Sequence, residues 1–163
     1  MLSNVKEELN RFAKYVISQS RANLTRGKKN SSKQLYNSLD SNVKVSKNSF
    51  ELSFLMEDYG VFQDKGVSGV KKKYNTKYSY TTKMPPPSKM DKWIVKKGIA
   101  PRGKDGKFIS RKSLQFMIAR SIFNNGIKPS LFFTKPFEKA FKNIDKDLIK
   151  AYKLDIETLM NNS

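Results

Sequence analysis

Cysteine and histidine are both absent from this 163-residue chain. Without cysteine there is no disulfide, no thiolate nucleophile and no thiolate metal site, a composition that fits a reducing compartment. Without histidine the commonest general base and the commonest transition-metal ligand are gone. Catalysis would have to run on carboxylates, lysine, tyrosine or serine, which leaves a carboxylate-held Mg²⁺ site as the enzyme class still open. Acidic residues are scarce as well: 14 Asp and Glu stand against 33 Lys and Arg, a formal charge of +19. Long apolar runs are missing, since none approaches the roughly 20 residues of a membrane span. The opening Met1-Leu-Ser-Asn-Val-Lys-Glu-Glu holds no apolar signal core, so the expectation is a protein soluble where it is made.

Aromatic residues are plentiful, with 11 Phe, 7 Tyr and 1 Trp. Mean hydropathy is −0.64. The chain is long enough to bury about two-thirds of its unfolded surface, so a single domain over 1–163 is expected. The charge is uneven. Between Lys65 and Lys112 fifteen basic residues meet only Asp91 and Asp105, a net of +13. A polyanion or an acidic protein partner is expected to meet the chain there.

Phe50, Leu52, Phe54 and Met56 occupy alternate positions, which lays four large groups on one face of a strand, the expected centre of a sheet. Val43 and Val45 alternate before it, and Ser46-Lys-Asn-Ser49 supplies turn residues, so the two runs read as a β-hairpin. Upstream, Leu2, Val5, Leu9, Phe12 and Val16 recur at steps of three and four, predicting an amphipathic helix over 4–22. Asn4 and Glu7 have the spacing of a capping box, and Lys6, Glu7 and Glu8 read as the solvated face. Leu35, Tyr36 and Leu39 read as one turn of helix. Downstream, Leu114, Met117, Ile118 and Ile122 predict a helix ended by Asn124-Asn-Gly126. Leu131-Phe-Phe133 reads as a short strand. Thr134-Lys-Pro136 opens a last helix whose apolar face is Phe137, Phe141, Ile144, Leu148 and Tyr152. Residues 67–111 read as a basic, loop-rich insertion in which a short helical turn carries Met90, Trp93 and Ile94. The fold class is therefore α+β: a small antiparallel sheet with a β-hairpin core, packed with an N-terminal helix and one or two C-terminal helices.

Chemistry has few places to sit. Glu57, Asp58 and Asp64, with Lys65 adjacent, end the strand and are the candidates for a Mg²⁺-dependent nuclease. Acidic residues after a strand are commonly no more than turn residues. Gly98 to Gly106 is basic but lacks the spacing of a phosphate-cradling loop. Tyr74, Tyr78, Tyr80 and Trp93 among lysines offer a stacking surface for single strands, or packing for a neighbouring subunit.

The order of elements resembles the tail-completion or neck (head–tail joining) proteins of long-tailed bacteriophages. The resemblance runs from the polar, leucine-bearing Leu35-Tyr-Asn-Ser-Leu39 through the hairpin to Tyr59-Gly-Val-Phe62-Gln-Asp-Lys-Gly66. It resumes, after a variable insertion, at Lys135-Pro-Phe-Glu-Lys-Ala140. The insertion here is longer and more basic than in the smaller members. The resemblance implies a non-enzymatic virion structural protein, made in the bacterial host cytoplasm, that assembles as a homo-oligomeric ring around the DNA exit channel. Its implied partners are the portal or connector and the tail-tube proteins, with nonspecific contact to packaged DNA and no membrane. No catalytic residue, metal or cofactor is implied. Candidate DNA-channel or partner contacts are Lys71, Lys72, Lys73, Lys96, Lys97, Arg102 and Lys104. Candidate subunit-packing residues are Tyr59, Phe62, Trp93, Phe133 and Phe137. The alternative is a sequence-nonspecific nucleic-acid-binding protein.

Overall fold

A computed structural model describes residues 2–30, 32–46 and 49–161. The order is α1 (Ser3–Arg26), α2 (Gln34–Ser38), β1 (Asp40–Ser46), β2 (Ser49–Leu55), α3 (Tyr59–Lys65), a 3-10 turn (Pro87–Met90), α4 (Asp91–Lys97), α5 (Arg111–Asn125) and α6 (Thr134–Asn161). This is the expected α+β fold, with one two-stranded antiparallel sheet and six helices among the described residues. The chain forms two compact units, residues 1–60 with 131–163 and residues 61–130.

In the first unit the stripe read from sequence is the buried face of α1. Val5, Leu9, Phe12, Ala13 and Val16 are buried, and Leu24 continues the repeat, which carries the helix on to Arg26. Each such aliphatic side chain withdrawn from water contributes about 1.5–3 kcal/mol. The capping box does not form. Leu2 precedes the helix and no cap comes from its own first turn. The cap arrives instead from α6: Asp155 Oδ1 accepts from Asn4 N at 2.9 Å and Asn4 Nδ2 at 2.8 Å, and Oδ2 from Val5 N at 3.0 Å. Glu8 is also not on the solvated face; it is buried and pairs with Arg11.

The hairpin pairs Val43 with Leu52 and Val45 with Phe50, and closes with Ser46 opposite Ser49. The two turn residues Lys47 and Asn48 lie outside the described residues. Among the described residues the sheet has two strands, so β2, which carries Phe50, Leu52 and Phe54, has no central position in it. Leu52 and Phe54 pack into the core, Phe50 is exposed, and Met56 lies beyond the strand against Leu24, Leu35 and Leu39. A cluster of phenylalanines fastens the hairpin to both long helices. Phe54 lies 5.1 Å from Phe133 and 6.0 Å from Phe137, and Phe12 lies 5.8 Å from Phe137, each edge to face.

No strand forms at Leu131-Phe-Phe133. Leu131 takes a positive φ of 51°, and the chain turns so that Phe132 drops into the cluster of Leu24, Leu35 and Leu39. A strand needs a neighbour for its backbone groups. Here Leu131 and Phe133 carbonyls instead accept from Lys135 and Phe137 as α6 begins.

In the second unit, Val67 and Ile127 exchange backbone hydrogen bonds of 2.9 and 2.7 Å. Ser130 holds the Gln63 carbonyl through both its N–H and its hydroxyl. Gly66, at φ +75°, sits so close that an added Cβ would lie 2.6 Å from Ile127 O and from Pro129. The glycine of the Tyr-x-x-Phe-x-x-x-Gly segment therefore lets the chain press against 127–129. The short helix read around Trp93 is α4, with Ile94 buried, and α5 ends at Gly126 as expected.

Candidate polyanion interface

The second unit is where the charge is concentrated. Residues 61–130 hold 17 Lys and Arg against Asp64, Asp91 and Asp105, a net of +14 out of the chain's +19. All three acids are engaged within the unit. Asp64 is buried with Lys65 Nζ at 4.0 Å. Asp91 takes Gln115 Nε2 at 2.7 Å and Arg111 Nε at 3.6 Å, joining α4 to α5. Asp105 accepts from the backbone of Lys107. The lysines therefore confront solvent with little internal neutralisation, which raises the local potential for any polyanion.

Lys71, Lys72 and Lys73 are exposed on one turn, and the turn is held firmly. The carbonyl of Asn124 accepts from the backbone N–H of Lys71 and Lys72, and that of Phe123 from Val70. These are the unsatisfied carbonyls at the C-terminus of α5, where cationic side chains are also favoured by the helix dipole. Ser68 organises the next loop from a buried position. Its hydroxyl donates to Tyr74 O and accepts from Tyr74 N, its N–H donates to Tyr78 O, and its carbonyl accepts from Tyr80 N. Lys72 lies 5.7 Å over the Tyr74 ring and Lys77 lies 5.2 Å over Tyr78.

Lys96 and Lys97 close α4 ahead of Gly98, again at a helix C-terminus and exposed. Lys104 is exposed at the tip of a tight turn over 101–109, in which Gly103 N bonds Lys107 O and Ile109 N bonds Pro101 O. Arg102 serves that turn. Its guanidinium lies 4.1 Å from the Phe108 ring centroid and donates to Gly106 O at 2.8 Å. Arg102 thus holds the tip in shape while Lys104 presents charge.

The aromatic residues among the lysines are mostly committed to packing. Tyr78 meets Phe62 edge to face at 4.8 Å, and Tyr80 lies 6.3 Å from Phe123. Burial pushes the Tyr80 phenol above its usual pKa. Trp93 remains exposed on α4. Of the other packing candidates, Tyr59 is exposed, whereas Phe133 and Phe137 help build the phenylalanine cluster of the first unit. Arg120, on α5, and Lys128, just after it, extend the basic set beyond Lys112 into a stretch whose helical periodicity masks its charge.

The acidic trio does not present a common site. Glu57 accepts from Gln34 Nε2 at 3.1 Å, Asp58 is exposed and Asp64 is buried. Among the described residues no group of three or more Asp, Glu, His or Cys is placed to hold a metal ion. No helix among them is long and apolar enough to cross a membrane. A cleft of about 840 Å³ runs along α1 past Lys14, Ile17, Arg21, Tyr36 and Asp40. Of the cations that line it, Arg21 is already engaged, since it donates to Tyr36 O and Leu39 O and covers the Tyr36 ring.

Compared with family models, with curated proteins and with solved structures, the chain has no match.

Proposed function

We propose that this chain is a virion structural protein, a neck or tail-completion subunit of a long-tailed bacteriophage that assembles in copies around the DNA exit channel. The observation that carries the reading is the order of its segments. A leucine-bearing short helix, a hairpin, the Tyr59 to Gly66 segment and the Pro136-Phe137 helix start follow one another as in that family. The local geometry supports it, because each of these segments has a definite task in the fold. Gly66 permits close backbone approach, and Pro136 is buried in the first turn of α6 with Phe137 in the aromatic cluster. The chain acts without a cofactor and as scaffold rather than catalyst. Its neighbours are the portal or connector and the tail tube, and its site of action is the virion after synthesis in the host cytoplasm. Lys71 to Lys73 and Lys104 then meet phosphate or an acidic neighbour without reading sequence.

Electron cryomicroscopy of virions from a phage encoding this chain tests the proposal. Density for a ring of this chain at the portal–tail junction is the expected result. Particles that lack the chain would sink it. The +14 charge of residues 61–130 favours a second reading, a sequence-nonspecific nucleic-acid-binding protein. That reading expects the isolated chain to bind DNA with an affinity that falls steeply with salt.

A further inference from the structure

Helix α6 carries two apolar faces where one would suffice for its core contact. Phe137, Ile144, Leu148 and Ala151 face α1 and the hairpin. Beside them Phe141, Ile149, Tyr152, Ile156 and Met160 are exposed, Ile149 at 69% and Met160 at 73%. Ile149, Tyr152 and Ile156 follow one another at steps of three and four, and Phe141 and Met160 flank that row on the same side of the helix, Phe141 also stacking on Phe137 at 5.4 Å. That 3-4 alternation is the spacing of a helix–helix seam, in which each side chain enters a gap on a facing helix of the same spacing.

We propose that this outer seam of α6 is where a second copy of the chain docks, its own α6 lying antiparallel across it. Three observations point to a copy as the occupant. The five apolar side chains present roughly 600 Å² per chain, at the upper end of a monomer's usual exposed patch, so a pair that covers them fully buries about 1,200 Å², the lower end of the range of specific interfaces. Copies of a chain with charge +19 must also meet where charge is lowest. Helix α6 has six lysines and five acidic residues, whereas residues 61–130 carry +14 and repel their counterparts. Finally, an antiparallel pair centred on Ile149 sets Asp145 opposite Lys153 of the second copy, twice by symmetry, and Lys146 opposite the second Tyr152 ring. The contact is two-fold and closes on itself, so it is distinct from the head-to-tail contacts of a ring and stands independently of the neck reading.

Light scattering on the eluting protein at tens of micromolar tests it, with wild type compared with Ile149→Glu/Ile156→Glu. Wild type is expected at twice the 18.8 kDa chain mass and the variant at the chain mass. Both sites being exposed, the variant should keep its helix content and melting temperature. Since the chain has no cysteine, Ile149→Cys gives a unique thiol that should form a disulfide-linked dimer on mild oxidation. A monomeric wild type, a dimer that survives both glutamates, or an Ile149→Cys protein that resists cross-linking would each overturn the proposal. None of those results bears on whether the chain lies in the neck.

Discussion

At the scale of the residue, Asp155 joins the two ends of the first unit. Burial by itself favours its neutral acid, but the backbone N–H groups of Asn4 and Val5, with the Asn4 and Ser3 side chains, outweigh this and hold its pKa below the usual value. A carboxylate whose folded pKa is depressed stabilises the fold above its unfolded pKa, near 4, and that contribution disappears as pH falls through the folded value. Asp155→Asn should therefore cost about 1–2 kcal/mol at neutral pH, from a lost charge-assisted cap, and should flatten the decline of stability below about pH 4. Thermal melts of both proteins from pH 7 to pH 3 check it; an unchanged slope would show that the carboxylate is not the cap. Glycines offer a second contrast. Gly66→Ala forces a Cβ to within 2.6 Å of Ile127 O at a positive φ, so a loss of at least about 2 kcal/mol is expected. Gly98 also has a positive φ but nothing lies within 4 Å of its added Cβ, so Gly98→Ala should cost only about 1 kcal/mol. Limited proteolysis within 61–130 should follow the same order.

At the scale of the element, α1, α6 and the hairpin depend on one another through phenylalanine. Phe54 contacts Phe12, Phe133 and Phe137 from a strand with a single neighbour. An isolated hairpin is marginal in water, so its persistence here rests on that packing. Phe54→Ala should cost about 3 kcal/mol and lower the melting temperature by roughly 10 °C, whereas Phe50→Ala, at an exposed position, should cost well under 1 kcal/mol. A comparable effect at both sites would contradict the division of that strand into packed and exposed aromatic residues. Sequence periodicity sufficed to place α1, α5 and α6 as helices, because a 3.6-residue stripe shows in a helix whatever its neighbours are, but not to say which stripe residues are buried: Met117, Phe141 and Tyr152 are exposed. It did not suffice at Leu131 to Phe133, where three apolar residues in a row fit a buried strand or a buried turn equally well. The available partner decided for the turn.

At the scale of the whole molecule, charge is divided unequally, with +14 on one compact unit and +5 on the other. If residues 61–130 meet duplex DNA, replacing Lys71, Lys72 and Lys73 together by Gln should reduce the slope of log affinity against log salt by about 2 to 3, close to 0.9 for each phosphate no longer neutralised. Arg102→Ala should leave that slope nearly unchanged while loosening the 101–109 turn, which hydrogen exchange at Gly103 and Ile109 would report. A slope that moves with Arg102 as much as with the lysines would reverse the roles assigned to them. The basic segment was legible by counting residues. The distinction between Lys104 as an exposed charge and Arg102 as a support was not, because it depends on the Phe108 ring and the Gly106 carbonyl meeting the guanidinium across a turn.

What followed from sequence alone was local or additive: helical stripes, the alternation of a hairpin, the glycine and proline punctuation, and the sum of charges. Such properties depend on near neighbours or on composition, so they survive without knowledge of the fold. Tertiary structure decided the rest. It placed Asp155 on the first turn of α1 from about 150 residues away, buried Glu8, turned Phe132 inward, set Ser68 beneath a loop of tyrosines, and left one side of α6 exposed. Each of these outcomes depends on which distant groups arrive at the same place, and side-chain spacing along the chain does not encode that meeting.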